Sequence, residues 1–134
     1  MNDKLFNRNW NANVGASTFS TAWKPSTEER LYERVEGGYK LTVKGTNSGA
    51  DYEWGYTAIK DGEEFPVHGR NDVDSIIAYK VTEEITIGDF LKGGKVVALY
   101  KRKMSLDGSS LQVIVAGVDN DAKPYFDVIE YTAE

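Results

Sequence analysis

Hydrophobic and polar residues alternate over much of this chain, in short segments that turn-forming residues separate. From Thr27 onward, segments rich in Val, Ile, Tyr, Phe and Thr recur at intervals of about ten residues. The segments are EERLYERV, YKLTVKG, YEWGYTAIK, EEFPVHG, SIIAYKV, EITIGDFL, KVVALYKRKM, SLQVIVAGV and YFDVIEYT. Short strands at this spacing are typical of all-β sandwiches and barrels. The pattern therefore predicts a mainly β protein.

Turn signals indicate that successive strands are antiparallel neighbours. The pairs Asp61-Gly62 and Asp107-Gly108 each separate two predicted strands. Glycine readily adopts the positive φ that two-residue hairpin turns need, so both pairs predict tight hairpins. The sequence shows no sustained helical periodicity, although one short helical turn remains open within VGASTFSTAW or within Glu83 to Leu91.

The length of the chain, 134 residues, fits one domain, and we predict a single domain over residues 1–134. Many sequential strands in a compact chain need protected edges, which closure into an up-and-down barrel provides. We expect an antiparallel barrel of about eight to ten strands with little helix. Such a barrel can hold one small ligand, whereas a sandwich of the same strands would fill its core with side chains.

The charge and composition of the chain argue against several classes of partner and site. The 21 acidic residues outnumber the 16 basic residues and no long basic run occurs, so we do not expect nucleic acid as a partner. The absence of cysteine excludes disulfides and thiol nucleophiles, and a single histidine leaves few metal ligands. We therefore predict no metal site and no cofactor.

The sequence also lacks the signals of membrane insertion. No apolar run approaches the roughly 18 residues of a spanning helix, and MNDKLFNRNW lacks the apolar core of a signal peptide. As written, the chain is expected to be cytoplasmic, or secreted or periplasmic if a signal peptide has been removed. We expect a monomer or a homodimer.

The stretches NWNANVGASTFS, GYKLTVKGTNSGADYEWGYTAIKDGEEFPVHG and KMSLDGSSLQVIV resemble a family of small bacterial lipocalin-like proteins within the calycin group. The resemblance covers most of the chain, and its motifs are short. It implies a β-barrel that binds a small molecule in a cup. The matching residues are Trp10, Asn13, Ser17, Phe19, Ser20, Tyr56, Ala58, Asp61, Gly62, Pro66, Val67, Gly69, Arg102, Ser105, Asp107 and Gly108. The chain departs from classical lipocalins at Arg8, where those proteins often carry glycine.

Strand parity predicts which side chains face the interior of the barrel, because alternate residues of a strand point to opposite faces. In KVVALYKRKM, the more apolar face carries Val96, Ala98, Tyr100, Arg102 and Met104. An inward arginine can hold a carboxylate or enolate through a paired, charge-assisted interaction. The resemblance to fatty-acid-binding calycins likewise implies that Arg102 and Tyr100 grip an anionic head group. The alternative is that Arg102 packs across Trp10 as a structural lid.

Aromatic residues on two other strands are candidate walls of the cavity. In YEWGYTAIK, Trp54, Tyr56 and Ala58 share one face, which we expect to point inward. Neither face of EERLYERV is cleanly apolar, so Tyr32 lines a ligand cavity or the strand faces solvent at an edge. Tyrosine combines a large apolar body with one hydroxyl, which suits both core packing and ligand orientation.

His68 is the only histidine and the one candidate catalytic residue. It lies at the end of a short strand, at the expected mouth of the barrel, with Asp72 and Asp74 nearby in sequence. Histidine is the side chain that most readily acts as general acid or base near neutral pH. The alternative is a loop histidine with no chemical role.

Two functions follow from these features. The first is binding of a small, largely apolar molecule with an anionic or hydroxyl group, using Arg102, Tyr100, Trp54, Tyr56 and Tyr32. The second is a cofactor-independent enzyme, such as an isomerase, cyclase or hydratase, that uses the same cavity with one acid or base. A titratable group such as His68 or Glu53 pointing at the ligand would favour the enzyme. An interior with only arginine and tyrosine would favour simple binding.

Overall fold

The computed structural model describes residues 2–20 and 24–134, and this part of the chain forms an all-β barrel. Two short 3-10 helices lie near its N-terminus, η1 (Asp3–Leu5) and η2 (Val14–Ala16). The strands are β1 (Asn9–Ala12), β2 (Thr27–Val35), β3 (Gly38–Asn47), β4 (Ala50–Ala58), β5 (Glu64–His68), β6 (Ser75–Lys80), β7 (Ile85–Lys92), β8 (Lys95–Met104), β9 (Ser110–Val118) and β10 (Pro124–Ala133).

Each strand pairs antiparallel with its neighbour in sequence, and β1 closes the barrel between β2 and β10. The closing strand places Asn11 opposite Glu29 on β2 and opposite Thr132 on β10. The prediction of a closed antiparallel barrel is confirmed. All nine predicted strands are present, and β1, which carries Trp10, is an additional strand.

Alternate residues on the strands fill the interior, as the sequence pattern predicts. On β3, Tyr39, Leu41 and Val43 are buried, whereas Lys40 and Lys44 between and beyond them are exposed. This alternation continues around the barrel and brings aromatic side chains from several strands into one core. The short helical turn left open in VGASTFSTAW is η2, and the region from Ile85 to Lys92 is a strand.

The turn prediction is correct in connectivity and wrong in turn length. Five residues connect β4 to β5 around Asp61-Gly62, and five connect β8 to β9 around Asp107-Gly108. Gly62 and Gly108 do take positive φ, at 79° and 73°. The two-residue turns lie elsewhere, at positions 36–37, 48–49 and 93–94.

The N-terminal residues close one end of the barrel. Leu5 and Phe6, at the end of η1, are buried together with Trp10, whose Nε1 donates to the Leu5 carbonyl at 3.0 Å. The backbone N–H of Asn2 donates to Glu83 in the β6–β7 turn, which ties η1 to this closed end. Phe19 is half-buried in the segment that runs beside β10 towards the opposite end. Trp23 lies outside the described residues.

Candidate functional site

A cavity of about 1160 Å³ occupies the barrel and opens between the β5–β6 and β9–β10 loops. The structure brings together all five side chains predicted to bind a ligand, and each lines this cavity: Tyr32, Trp54, Tyr56, Tyr100 and Arg102. Phe90, Val113 and Ile129 complete an apolar wall around them. Strand parity placed the residues of β4 and β8 on this surface, and Tyr32 on β2, whose orientation the sequence left open, completes it.

The deepest polar feature is a group of residues that we call the lower site: Arg102, Tyr32, Tyr39, Tyr56 and Tyr100. The Arg102 guanidinium is 3% exposed, and its Nη2 donates to Thr86 Oγ1 at 2.9 Å. Its carbon lies 4.7 Å from the ring centre of Tyr32 and 5.2 Å from that of Tyr39. Cation–π contacts of this kind stabilise a desolvated guanidinium.

The tyrosines of the lower site are hydrogen-bond donors and acceptors at neutral pH. Burial raises the pKa of the Tyr56 and Tyr100 phenols above their usual value. The hydroxyls of Tyr39 and Tyr56 lie 3.2 Å apart and share a hydrogen bond. The Tyr100 hydroxyl is buried near Tyr56 and makes no hydrogen bond of normal length to a described residue. A buried hydroxyl of this kind is available to a ligand.

Arg102 remains charged in these surroundings. Burial opposes the charged form and lowers the pKa of Arg102, but the four tyrosines of the lower site outweigh this effect and the pKa is raised overall. The lower site therefore presents a permanent positive charge at the bottom of an aromatic cavity.

The alternative role for Arg102, a lid across Trp10, does not describe its position. The guanidinium over the Trp10 ring, at 4.9 Å, belongs to Arg8. Arg102 instead stacks on Tyr32 and Tyr39 inside the barrel. Arg8, the position at which the chain departs from the classical lipocalin pattern, thus supplies the cation that packs on Trp10 at the closed end.

Gly88 explains how the Tyr100 ring fits against the wall. A Cβ at Gly88 would lie 2.5 Å from Tyr100 Cε1 and 2.2 Å from the carbonyl oxygen of Ile77. Both distances are shorter than van der Waals contact, so only glycine leaves this space for the ring.

Nearer the mouth lies a second polar group that the sequence analysis did not identify: Glu28, Arg30, Tyr52 and Tyr131, which we call the upper site. The Tyr131 hydroxyl donates to Glu28 Oε2 at 2.5 Å and accepts from Arg30 Nε at 2.8 Å. Glu28 and Arg30 are 5% and 6% exposed and line the cavity with Tyr52. The interior face of β2 therefore carries Glu28 and Arg30 while the outer face carries Glu29 and Glu33, which explains why neither face of EERLYERV reads as apolar.

The mouth is bordered by an ion pair. Arg70 donates from Nε and Nη2 to the two carboxylate oxygens of Asp72, at 2.8 and 2.5 Å. The same guanidinium lies 4.6 Å from the Trp54 ring centre and 5.5 Å from that of Phe90. The pair thus extends the aromatic wall outward to the rim of the cavity.

His68 lies on the outside of the barrel. Val67 is buried, so its neighbour His68 points outward by strand parity, and the His68 side chain is exposed. Its Nε2 lies 3.5 Å from the position that a Cβ on Gly55 would occupy, on the outer face of β4. The residues expected to orient it serve other partners, because Asp72 binds Arg70 and Asp74 Oδ2 accepts from the Gly93 N–H. Glu53 is also on the outer wall, 3.6 Å from Lys44 Nζ.

Neither of the two named titratable groups therefore faces the cavity, but Glu28 does, so the interior is not limited to arginine and tyrosine. Among residues 2–20 and 24–134, no group of three or more His, Asp or Glu side chains has the arrangement of a metal site. Within the same residues, no helix has the length and apolar character needed to cross a bilayer.

No protein-family model matches the sequence, and no curated protein shows significant similarity to it.

Proposed function

We propose that this barrel binds a small, largely apolar molecule that carries an anionic group, with the anionic group held at the lower site. The observation that carries the proposal is the buried, charged Arg102 at the bottom of an open aromatic cavity. Arg102 already contacts Thr86 and two tyrosine rings, and an anion at the guanidinium would add a charge-assisted interaction in a site shielded from solvent. A relationship to the lipocalin-like family fits this function and remains part of the proposal.

The orientation of the ligand follows from the distribution of polar groups along the cavity. The walls between the lower site and the mouth carry Trp54, Phe90 and Val113, which suit an apolar body. Trp54 and Phe90 pack edge-to-face, with ring centres 6.2 Å apart. We therefore place the anionic group at the bottom and the apolar body along these rings.

Native mass spectrometry of freshly purified protein is the first experiment. A species bound to the folded protein and absent from the denatured mass would support the cavity as a binding site, and its mass would limit its chemical class. The same spectrum counts subunits, which tests the expectation of a monomer or homodimer.

Titration with octadecanoate, followed by tryptophan fluorescence, tests the role of Arg102 directly. We expect Arg102→Met to weaken binding about 10- to 100-fold, the effect of losing a charge-assisted hydrogen bond. Lys101→Met is the matched control, because Lys101 precedes Arg102 on β8 and its side chain is exposed on the outer wall. Equal affinities for the wild type and the Arg102 variant would refute the proposed site.

A further inference from the structure

We infer that the upper site binds a hydroxyl group of the ligand, so that the natural ligand is an apolar molecule with an anionic group and a separate hydroxyl. This inference rests on the proposed function, because it assigns a second contact to the same bound molecule. It is carried by the polar groups that β2 presents to the cavity at Glu28 and Arg30.

The upper site holds its two charged groups in fixed positions. Tyr131 lies between Glu28 and Arg30, is 1% exposed, and hydrogen-bonds to both. The Tyr52 hydroxyl lies beside the same carboxylate, and burial together with the Glu28 charge raises the pKa of Tyr52. The upper site is therefore pre-organised, because its side chains hold one another in place before a ligand binds.

Hydrogen-bonding capacity remains on both charged groups. A carboxylate has about four acceptor sites and a guanidinium has five N–H donors. Tyr131 occupies one acceptor site of Glu28 and Tyr52 lies at the same carboxylate, while Arg30 donates from Nε to Tyr131 and from Nη1 to the Tyr32 hydroxyl at 3.5 Å. An acceptor and a donor thus face the cavity side by side.

The charges of the upper site select a neutral polar group. Because Glu28 and Arg30 are adjacent and carry opposite charges, their fields largely cancel, and neither a second anion nor a cation gains the net attraction that Arg102 offers an anion. A purely apolar group would cover the two charged groups without replacing their contacts with water, which is unfavourable. A hydroxyl can donate to the carboxylate and accept from the guanidinium, so it satisfies both.

Tyr32 fixes the separation between the two sites. Its ring lies under Arg102 at the lower site, and its hydroxyl is 3.5 Å from Arg30 Nη1 at the upper site. The two sites are therefore about one tyrosine side chain apart. A hydroxyl at the sixth carbon of an extended chain can reach the upper site while the anionic end stays at Arg102, whereas a hydroxyl next to the anionic group cannot.

The test compares three probes that share a carboxylate and an 18-carbon chain: octadecanoate, 6-hydroxyoctadecanoate and 2-hydroxyoctadecanoate. We expect the wild type to bind the 6-hydroxy compound about tenfold more tightly than octadecanoate, the effect of one hydrogen bond to a charged group. The 2-hydroxy compound is expected to show no such advantage. Equal binding of all three would overturn the inference, and this comparison needs no variant.

A pair of variants locates the effect. Glu28→Gln removes the negative charge of the upper site, and we expect it to reduce the preference for the 6-hydroxy compound over octadecanoate to about threefold or less. Glu29→Gln is the matched control, because Glu29 is the next residue on β2 and points to the opposite face. An unchanged preference in a folded Glu28→Gln protein would place the hydroxyl elsewhere and overturn the assignment.

The two proposals fail in different ways. If octadecanoate binds and Arg102→Met weakens it, but the hydroxyl gives no advantage, the proposed function stands and the upper site does not bind hydroxyl groups. If none of the three probes binds, both proposals are rejected for this class of ligand.

Discussion

Arg30 and Arg102 keep their charge inside the barrel because tyrosine rings and hydroxyls surround both guanidiniums. Arg30 lies 5.1 Å from the Tyr131 ring centre and Arg102 lies 4.7 Å from that of Tyr32. The pKa of Arg30 falls with burial but is raised overall by Tyr131, Tyr32 and Glu28. Phenols thus supply the cation–π surface for both guanidiniums and hydrogen-bond acceptors for Arg30, whereas Arg102 donates to Thr86.

At the mouth, the Arg70–Asp72 pair predicts a pH dependence of stability. Burial raises the pKa of Asp72, but hydrogen bonds and charge from Arg70 outweigh it and lower the pKa below 3.8. A carboxyl with a lowered pKa stabilises the folded state above its unfolded pKa, and this contribution disappears as the pH falls through the folded value. Asp72→Asn should therefore lower the free energy of unfolding by about 0.5–1 kcal/mol at pH 7, since the pair is partly exposed and screened.

Urea unfolding at pH 7 and in acid measures this difference. We expect the wild type and Asp72→Asn to converge once the pH is below the lowered pKa of Asp72. Asp51→Asn is the control, because Asp51 is an exposed aspartate at the outer end of β4. A difference between wild type and Asp72→Asn that persists unchanged in acid would show that the ion pair is not its cause.

Among the elements, strands were predictable where their outward residues are polar and their inward residues apolar. β8 and β9 have the predicted bounds, and the inward face of β8 holds Ala98, Tyr100, Arg102 and Met104 as expected. Val96 was predicted to face inward and is 54% exposed. The β7–β8 register shifts between Phe90 and Leu91, which inserts one extra residue on β8 and reverses the parity beyond it.

Leu5 and Phe6, at the end of η1, form a plug at the closed end of the barrel, and loss of this plug should lower stability most directly. Phe6 is 5% exposed at the closed end, and the Arg34 guanidinium lies 4.2 Å from its ring centre. Phe6→Ala leaves a cavity there and should lower the free energy of unfolding by about 3–5 kcal/mol.

Phe126→Ala is the matched control for the plug, because Phe126 on β10 is 51% exposed and the same atoms are removed. We expect the control to cost less than about 1 kcal/mol, measured by urea unfolding at neutral pH. Similar losses in the two variants would mean that the plug does not seal the barrel end.

At the scale of the whole molecule, the cavity exists because strands that are distant in sequence meet around it. Arg30 and Tyr131 are 101 residues apart in the chain and are joined by a hydrogen bond across the closed barrel. Strand parity could identify Arg102 and Trp54 as inward residues from local sequence alone. It could not identify Glu28 and Arg30 as interior, because Tyr131, which hydrogen-bonds to both, lies on β10 and is recognised as their partner only after closure.

Closure itself depends on β1, the shortest strand of the barrel and the one that joins β2 to β10. In a strand with neighbours on both sides, each backbone N–H donates to one of them. Asn11→Pro removes one of these donors and places a proline in the middle of a paired strand, where it is poorly tolerated. We expect the variant to open the seam and expose the edges of β2 and β10, with aggregation and loss of ligand binding.

Asn11→Ala separates the backbone effect from the side-chain effect at the same position. It keeps the N–H and loses only the exposed hydrogen bond from Asn11 Nδ2 to Glu134 Oε1, at 3.1 Å. Size-exclusion chromatography with light scattering, together with octadecanoate titration, compares the two variants. A monodisperse Asn11→Pro protein with unchanged affinity would mean that the cavity does not require the β1 seam. Aggregation of the proline variant alone would mean that the four residues of β1 keep the barrel closed between β2 and β10.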